Sequence, residues 1–142
     1  MSNSILHKEY TVIRFDYAGA GKASSDIKKT LSTIGIPSAV LRKISVASYE
    51  SEINMIIHAY GGVITMDVFD NGEIRLVFRD GGPGIPDIEK AMTPGFSTAS
   101  EDARNMGFGA GMGLPNIKRV SDSFDLQTSE KGTTLTLGFV VS

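Results

Sequence analysis

The chain has no cysteine. Disulfides, thiolate zinc sites and a cysteine nucleophile are therefore excluded, and a reducing cytoplasm suits such a chain. It has no excess of basic charge. Fourteen lysines and arginines stand against sixteen acidic residues, a net charge of −2, which argues against a general nucleic-acid binder. No apolar run approaches the roughly 18 residues of a membrane span. The opening M-S-N-S-I-L-H-K-E-Y lacks the apolar stretch of a signal peptide.

What the chain has in excess is glycine. It holds 16 in 142 residues, and eight of these lie between Gly81 and Gly113. A local excess needs a local reason, because each ordered glycine gives up more backbone freedom than any other residue. A chain of this length is expected to form one domain over residues 1–142.

Hydrophobic spacing predicts the elements. Tyr10–Tyr17 is β-branched and aromatic and reads as a strand. Ser24 or Ser25 is expected to cap a helix to about Ile34, which Gly35-Ile36-Pro37 breaks. A long helix follows from Ser38 to about Tyr60, stopped by Gly61-Gly62. Val63–Phe69 and Glu73–Arg79 form a hairpin around Asp70-Asn71-Gly72. Asp87–Met92 reads as a short helix, and Thr93–Gly113 as a long irregular stretch of a kind that is usually functional or disordered. A helix near Leu114–Val120 leads to a last hairpin, Phe124–Thr128 with Thr134–Val141. The order β-α-α-β-β-α-α-β-β predicts an α/β fold: a mixed sheet with helices covering one face.

Three constellations carry chemistry. Glu50, Asn54 and His58 are spaced i, i+4, i+8 on the long helix and share a face. A solvated polar stripe has the same pattern. Two features weigh against that reading: the strongly apolar Ile53, Ile56 and Ile57 beside it mark a well-packed helix, and a Glu and an Asn one turn apart suit magnesium–phosphate chemistry. An Asn carbonyl can supply a protein oxygen to Mg²⁺, and a Glu one turn away can take a proton from an attacking hydroxyl or water. Asp80 closes a strand ahead of Gly81-Gly82-Pro83-Gly84. A turn needs the glycines and the proline, but not the aspartate. A carboxylate at that point can accept from the exocyclic amine of adenine and would repel the carbonyl of guanine. Gly82 and Gly84 would let a flat base approach the backbone.

The third is the run Gly107, Gly109, Gly111, Gly113, which leads into a helix. Bare N–H groups and a helix N-terminus suit a phosphate, so the run reads as a phosphate-binding lid. Its spacing fits neither the dinucleotide fingerprint nor the P-loop. Among smaller signals, Arg104 reads as either a loop charge or a γ-phosphate contact. Ser97-Thr98 offers a hydroxyl near phosphate or caps a turn. Thr133 reaches the adenine side through Asp80 or a water, or simply sits in a hairpin. At least one of Lys118 and Arg119 reads as a surface charge.

Taken in order, E-x-x-x-N-x-x-x-H, D-x-G-x-G, G-x-G-x-G-x-G-L and G-T resemble the GHKL ATPase superfamily, which includes gyrase and the histidine kinases. The compact length, with P-G-F-S-T at Pro94–Thr98 and G-A-G-M-G-L-P-N-I-K-R-V-S-D at Gly109–Asp122, is similar to the bacterial serine kinases of partner-switching pathways. Those are the anti-sigma factors and their related switch kinases. The stretch Thr98–Met106 is longer than the switch kinases lead one to expect. The resemblance implies a two-layer α/β sandwich that uses ATP and Mg²⁺. It implies Glu50 and Arg104 as catalytic groups and Asn54 on the metal. It places Asn54, His58, Asp80, Gly82, Gly84, Ile85, Ser97, Thr98, Gly107, Gly109, Gly111, Met112, Gly113, Leu114 and Thr133 around the nucleotide. The implied substrate is a serine of a small STAS-type antagonist. A sigma factor, a downstream signalling enzyme and a second copy of the chain stand as further partners. A nucleotide-gated binding switch without phosphotransfer is the alternative.

Overall fold

Alternation of apolar and polar residues builds the sheet, and the register shows how well it works. Tyr10, Ile64, Phe78, Leu135 and Leu126 stand side by side across five strands. One step along, Lys8, Met66, Leu76, Leu137 and Phe124 form the next row. All these side chains share one face of the pleat. In this computed structural model, which describes residues 3–59, 61–82, 84, 92 and 113–141, that face lies under the helices.

The described elements are β1 (Ser4–Val12), α1 (Lys22–Thr33), α2 (Ser38–His58), β2 (Gly62–Phe69), β3 (Glu73–Asp80), α3 (Gly113–Val120), β4 (Ser123–Ser129) and β5 (Gly132–Val140). The strands order as β1-β2-β3-β5-β4. The core is continuous from Ile27 and Leu31 of α1, through Ile44 and Ile56 of α2, to the sheet residues and Ile117 of α3. The fold is the expected α/β layer arrangement, but every neighbouring pair of described strands is antiparallel, where a mixed sheet was expected. The reason lies in the connections. Two successive helices bring the chain back to the end of the sheet it left, so β2 runs against β1. The β2–β3 and β4–β5 links are hairpins, which can only be antiparallel.

Two boundaries differ from the sequence reading. The first strand lies at Ser4–Val12, not Tyr10–Tyr17. β2 offers partners only as far as Val12, and the chain then turns away: Phe15 takes a positive φ of 61° and donates its N–H to the Ile56 carbonyl at 2.9 Å. Residues Tyr17–Gly19 form a short 3-10 turn. The second is the start of α1. Neither Ser24 nor Ser25 caps it; the N-cap is Gly21, and Ser24 lies inside the first turn. The predicted helix Asp87–Met92, apart from Met92, and the irregular stretch Thr93–Gly113, apart from Gly113, fall outside the described residues.

Candidate functional site

Helix α2 brings the first group of side chains together. Its core-facing stripe Ile44, Ala47, Met55 and Ile56 is buried, which fixes the rotation of the helix. Glu50 is thereby left half-buried and Asn54 partly exposed. Desolvation pushes the Glu50 carboxyl above its ordinary range, as burial does for any acid without a charge partner. His58 closes α2, and its side chain lies outside the described residues.

Asn54 meets α3. A Cβ placed on Gly113 would stand 3.0 Å from Asn54 Nδ2 and 3.2 Å from Oδ1. The absent side chain at Gly113 thus lets the first residue of α3 lie against the Asn54 amide. That puts an amide oxygen next to a helix N-terminus, where the partial positive charge favours an anion. Leu114, the next residue, packs on the core. Lys118 and Arg119 lie exposed in the last turn, where they complement the helix dipole as surface charges.

Asp80 ends β3. Its Oδ1 accepts from the N–H of Gly82 at 2.9 Å and from the N–H of Thr133 at 3.0 Å. Both bonds use one oxygen, so among the described residues Oδ2 keeps its acceptor capacity. Thr133 is 9% exposed, and its hydroxyl lies 2.8 Å from that of Thr128. The carboxylate therefore joins the β3 end to the β4–β5 hairpin. Gly82 and Gly84 have a role the base-approach reading did not foresee. Their φ values are +117° and +94°, and side chains there would press on the Glu130 and Ser129 carbonyl oxygens of the hairpin. Their smallness admits the hairpin backbone.

The structure thus brings Asn54 of α2 against Gly113 of α3, and Asp80 of β3 against Gly82 and Thr133; Glu50 lies one helical turn before Asn54, and Leu114 directly follows Gly113. Ile85, Ser97, Thr98, Arg104, Gly107, Gly109, Gly111 and Met112 lie outside the described residues.

The sequence reading missed Glu52. It is only 3% exposed, and its two carboxylate oxygens accept from the N–H groups of Ala23 (3.2 Å) and Ser24 (3.0 Å). It caps α1 from another helix, doing what the Gly21 N-cap cannot. A signal was present: a carboxylate beside Ile53, on a helix with an otherwise apolar flank.

The sequence of residues 13–139 matches the family described as the histidine kinase-like ATPase domain. The chain is 33% identical over 117 residues to the serine/threonine-protein kinase RsbT of Bacillus subtilis, covering 80% of each. It is 40% identical over 95 residues to an anti-sigma F factor of a Thermoanaerobacter species, covering 63% of each. Among solved structures it resembles a Mycobacterium tuberculosis protein with RsbU and RsbW domains. The TM-score is 0.67 at 16% identity, over 96% of this chain and 32% of that one.

Proposed function

The chain belongs to the histidine kinase-like ATPase domain family, and from that premise we propose that it is an ATP-dependent protein serine kinase of a partner-switching pathway. One observation supports this most directly: the Asn54 amide lies against Gly113 at the N-terminus of α3, one turn of α2 from a desolvated glutamate. We read residues 1–142 as one ATP-binding unit working in the cytoplasm, where ATP is available.

On this reading Asp80 Oδ2 accepts from the adenine amine, and Thr133 supports it from the hairpin. The α3 N-terminus faces the phosphates, and the Gly107–Gly113 run supplies further N–H donors with Ser97, Thr98 and Arg104. The donor set fits magnesium. Among the described residues no three acidic or histidine side chains are arranged to hold a metal ion by themselves. Mg²⁺ keeps several waters and phosphate oxygens and needs only one or two protein oxygens, so the Asn54 carbonyl would suffice. Bound there, it would neutralise charge on the phosphates. Glu50 accepts the proton of the attacking serine hydroxyl. Its raised pKa brings the base nearer to the hydroxyl it must deprotonate. Phosphoryl transfer asks chiefly for positioning and electrostatics, and these residues supply both.

We assign the acceptor serine to a small STAS-type antagonist protein. Sequestration of a sigma factor is a second reading, favoured by the anti-sigma F relatives. The test is transfer from γ-labelled ATP to purified antagonist. Acid-stable phosphoserine is expected, and Glu50→Gln should stop transfer while retaining ATP. Acid-labile phosphohistidine, or equal transfer by the variant, would overturn the assignment.

A further inference from the structure

Ser51 stands between the two groups assigned above, directly after Glu50 and three residues before Asn54. It is 2% exposed, and its hydroxyl has no hydrogen-bond partner among the described residues. This is unusual in the molecule. Ser45 and Ser48 on the same helix, and Ser121 at the end of α3, each donate to the carbonyl four residues back, at 2.7 Å. That bond is open to any helical serine, and Ser51 does not make it. An unpaired buried hydroxyl costs about 1–3 kcal/mol, so native proteins keep one where something absent from the bare chain completes it.

The neighbours of Ser51 set its place on the helix. Helical spacing sets Ser51 on the buried stripe Ile44–Ala47–Ser51–Met55, on the side turned toward Asn54. Met55, one turn on, reaches the β3 end. A Cβ on Gly62 would stand 2.7 Å from Met55 Cε and 2.9 Å from Asp80 Cα. The stripe that carries Ser51 therefore runs, through Met55, up to Gly62 beside the Asp80 backbone. α2 also packs on β3 and β5, the strands that hold Asp80 and Thr133.

We propose that Ser51 is a base-recognition residue. Its hydroxyl bonds to the purine held by Asp80, directly or through one buried water shared with it. Such a water needs two to four polar partners, and Ser51, Asp80 and the base supply them. This inference rests on the ATP reading of the site and goes beyond it, since Ser51 contributes to selection of the base and not to the phosphates.

Calorimetry on the full chain, with ATP and with inorganic triphosphate as probes, tests it. Ser51→Ala should weaken ATP binding about three- to tenfold, the span of one ordinary hydrogen bond, and leave triphosphate binding unchanged. Without nucleotide the variant should melt at or above the temperature of the parent chain, because the orphaned hydroxyl is gone, and ATP should raise its melting point by less. Ser51→Cys keeps the volume with a weaker donor and should show the same pattern should the alanine variant fold poorly. Unchanged ATP affinity would overturn the proposal. So would equal losses for ATP and triphosphate, or a lower melting point with an unaltered ATP increment, which mark a structural hydroxyl. If the parent chain takes up no ATP, the site reading itself falls, and this proposal with it.

Discussion

Glu52 of α2 holds the backbone N–H of Ser24 in α1 at 3.0 Å, and the carboxylate that does so is almost fully buried. One acidic side chain thereby caps one helix while sitting in the middle of another, between Glu50 and Asn54. The helix carrying the candidate chemistry is thus fastened to its neighbour by a charge-assisted contact.

Glu52→Ala should lower stability by about 2–4 kcal/mol, since it strands two buried N–H groups and removes bonds to a charged acceptor. Glu52→Gln, which keeps one acceptor oxygen, should lose less. Urea denaturation of the two variants checks the order. Equal stability of Glu52→Ala and the parent chain would contradict the cap.

Asp80→Asn should fold normally and fail to hold ATP. The asparagine carbonyl can still accept from Gly82 and Thr133 as Oδ1 does, so the hairpin joint survives. The lone acceptor for the adenine amine becomes an NH₂ donor. A loss of at least about tenfold in ATP affinity is expected from a hydrogen bond to a charged group. Calorimetry alongside a melting curve separates the two effects.

Transfer should switch on with pH through the Glu50 titration. Desolvation raises the Glu50 carboxyl above its ordinary range, so the basic form appears at higher pH than for a free glutamate. The rate should rise through that value and level off above it. The stability sign follows from the same shift. Ionising Glu50 destabilises the fold, a penalty absent below the unfolded value and complete above the folded one. Glu50→Gln should therefore match or exceed the parent chain in stability at neutral pH.

Gly84→Ala should destabilise sharply, whereas Gly81→Ala should stay within about 0.5 kcal/mol. Gly84 combines a φ of +94° with the Ser129 carbonyl where its Cβ would go, while a Cβ on Gly81 meets nothing within 4 Å. Melting temperatures of the two variants decide this.

His7 should titrate above its ordinary value. Its Nδ1 lies 2.7 Å from Asp67 and its Nε2 3.3 Å from Glu9, and these bonds favour the imidazolium. The pairing stabilises β1 at low pH and fades as pH rises through the raised value. NMR titration of Asp67→Asn should bring His7 back down.

Local pattern made most of the architecture legible. The α2 stripe, the Asp70-Asn71-Gly72 hairpin and the start of α3 all follow from spacing and turn chemistry, which neighbouring residues decide among themselves. The order of Glu50, Asn54, Asp80 and the glycine run carried the family resemblance for the same reason, because each motif is a short-range spacing. The end of β1 was not legible. Tyr10–Tyr17 has strand composition throughout, but a strand lasts only as long as its partner, and β2 begins at Gly62 opposite Val12.

The amino-acid sequence by itself determined which residues face the core and which chemistry the chain can offer, because periodicity and side-chain type are properties of the chain alone. Only the tertiary structure decided where that chemistry meets. A buried glutamate capping a distant helix and an asparagine amide against the first glycine of α3 arise between segments far apart in the chain, and the burial of a serine hydroxyl that has no partner among the described residues is likewise a product of packing. Burial there sets the cost of every polar atom, and no local pattern records it.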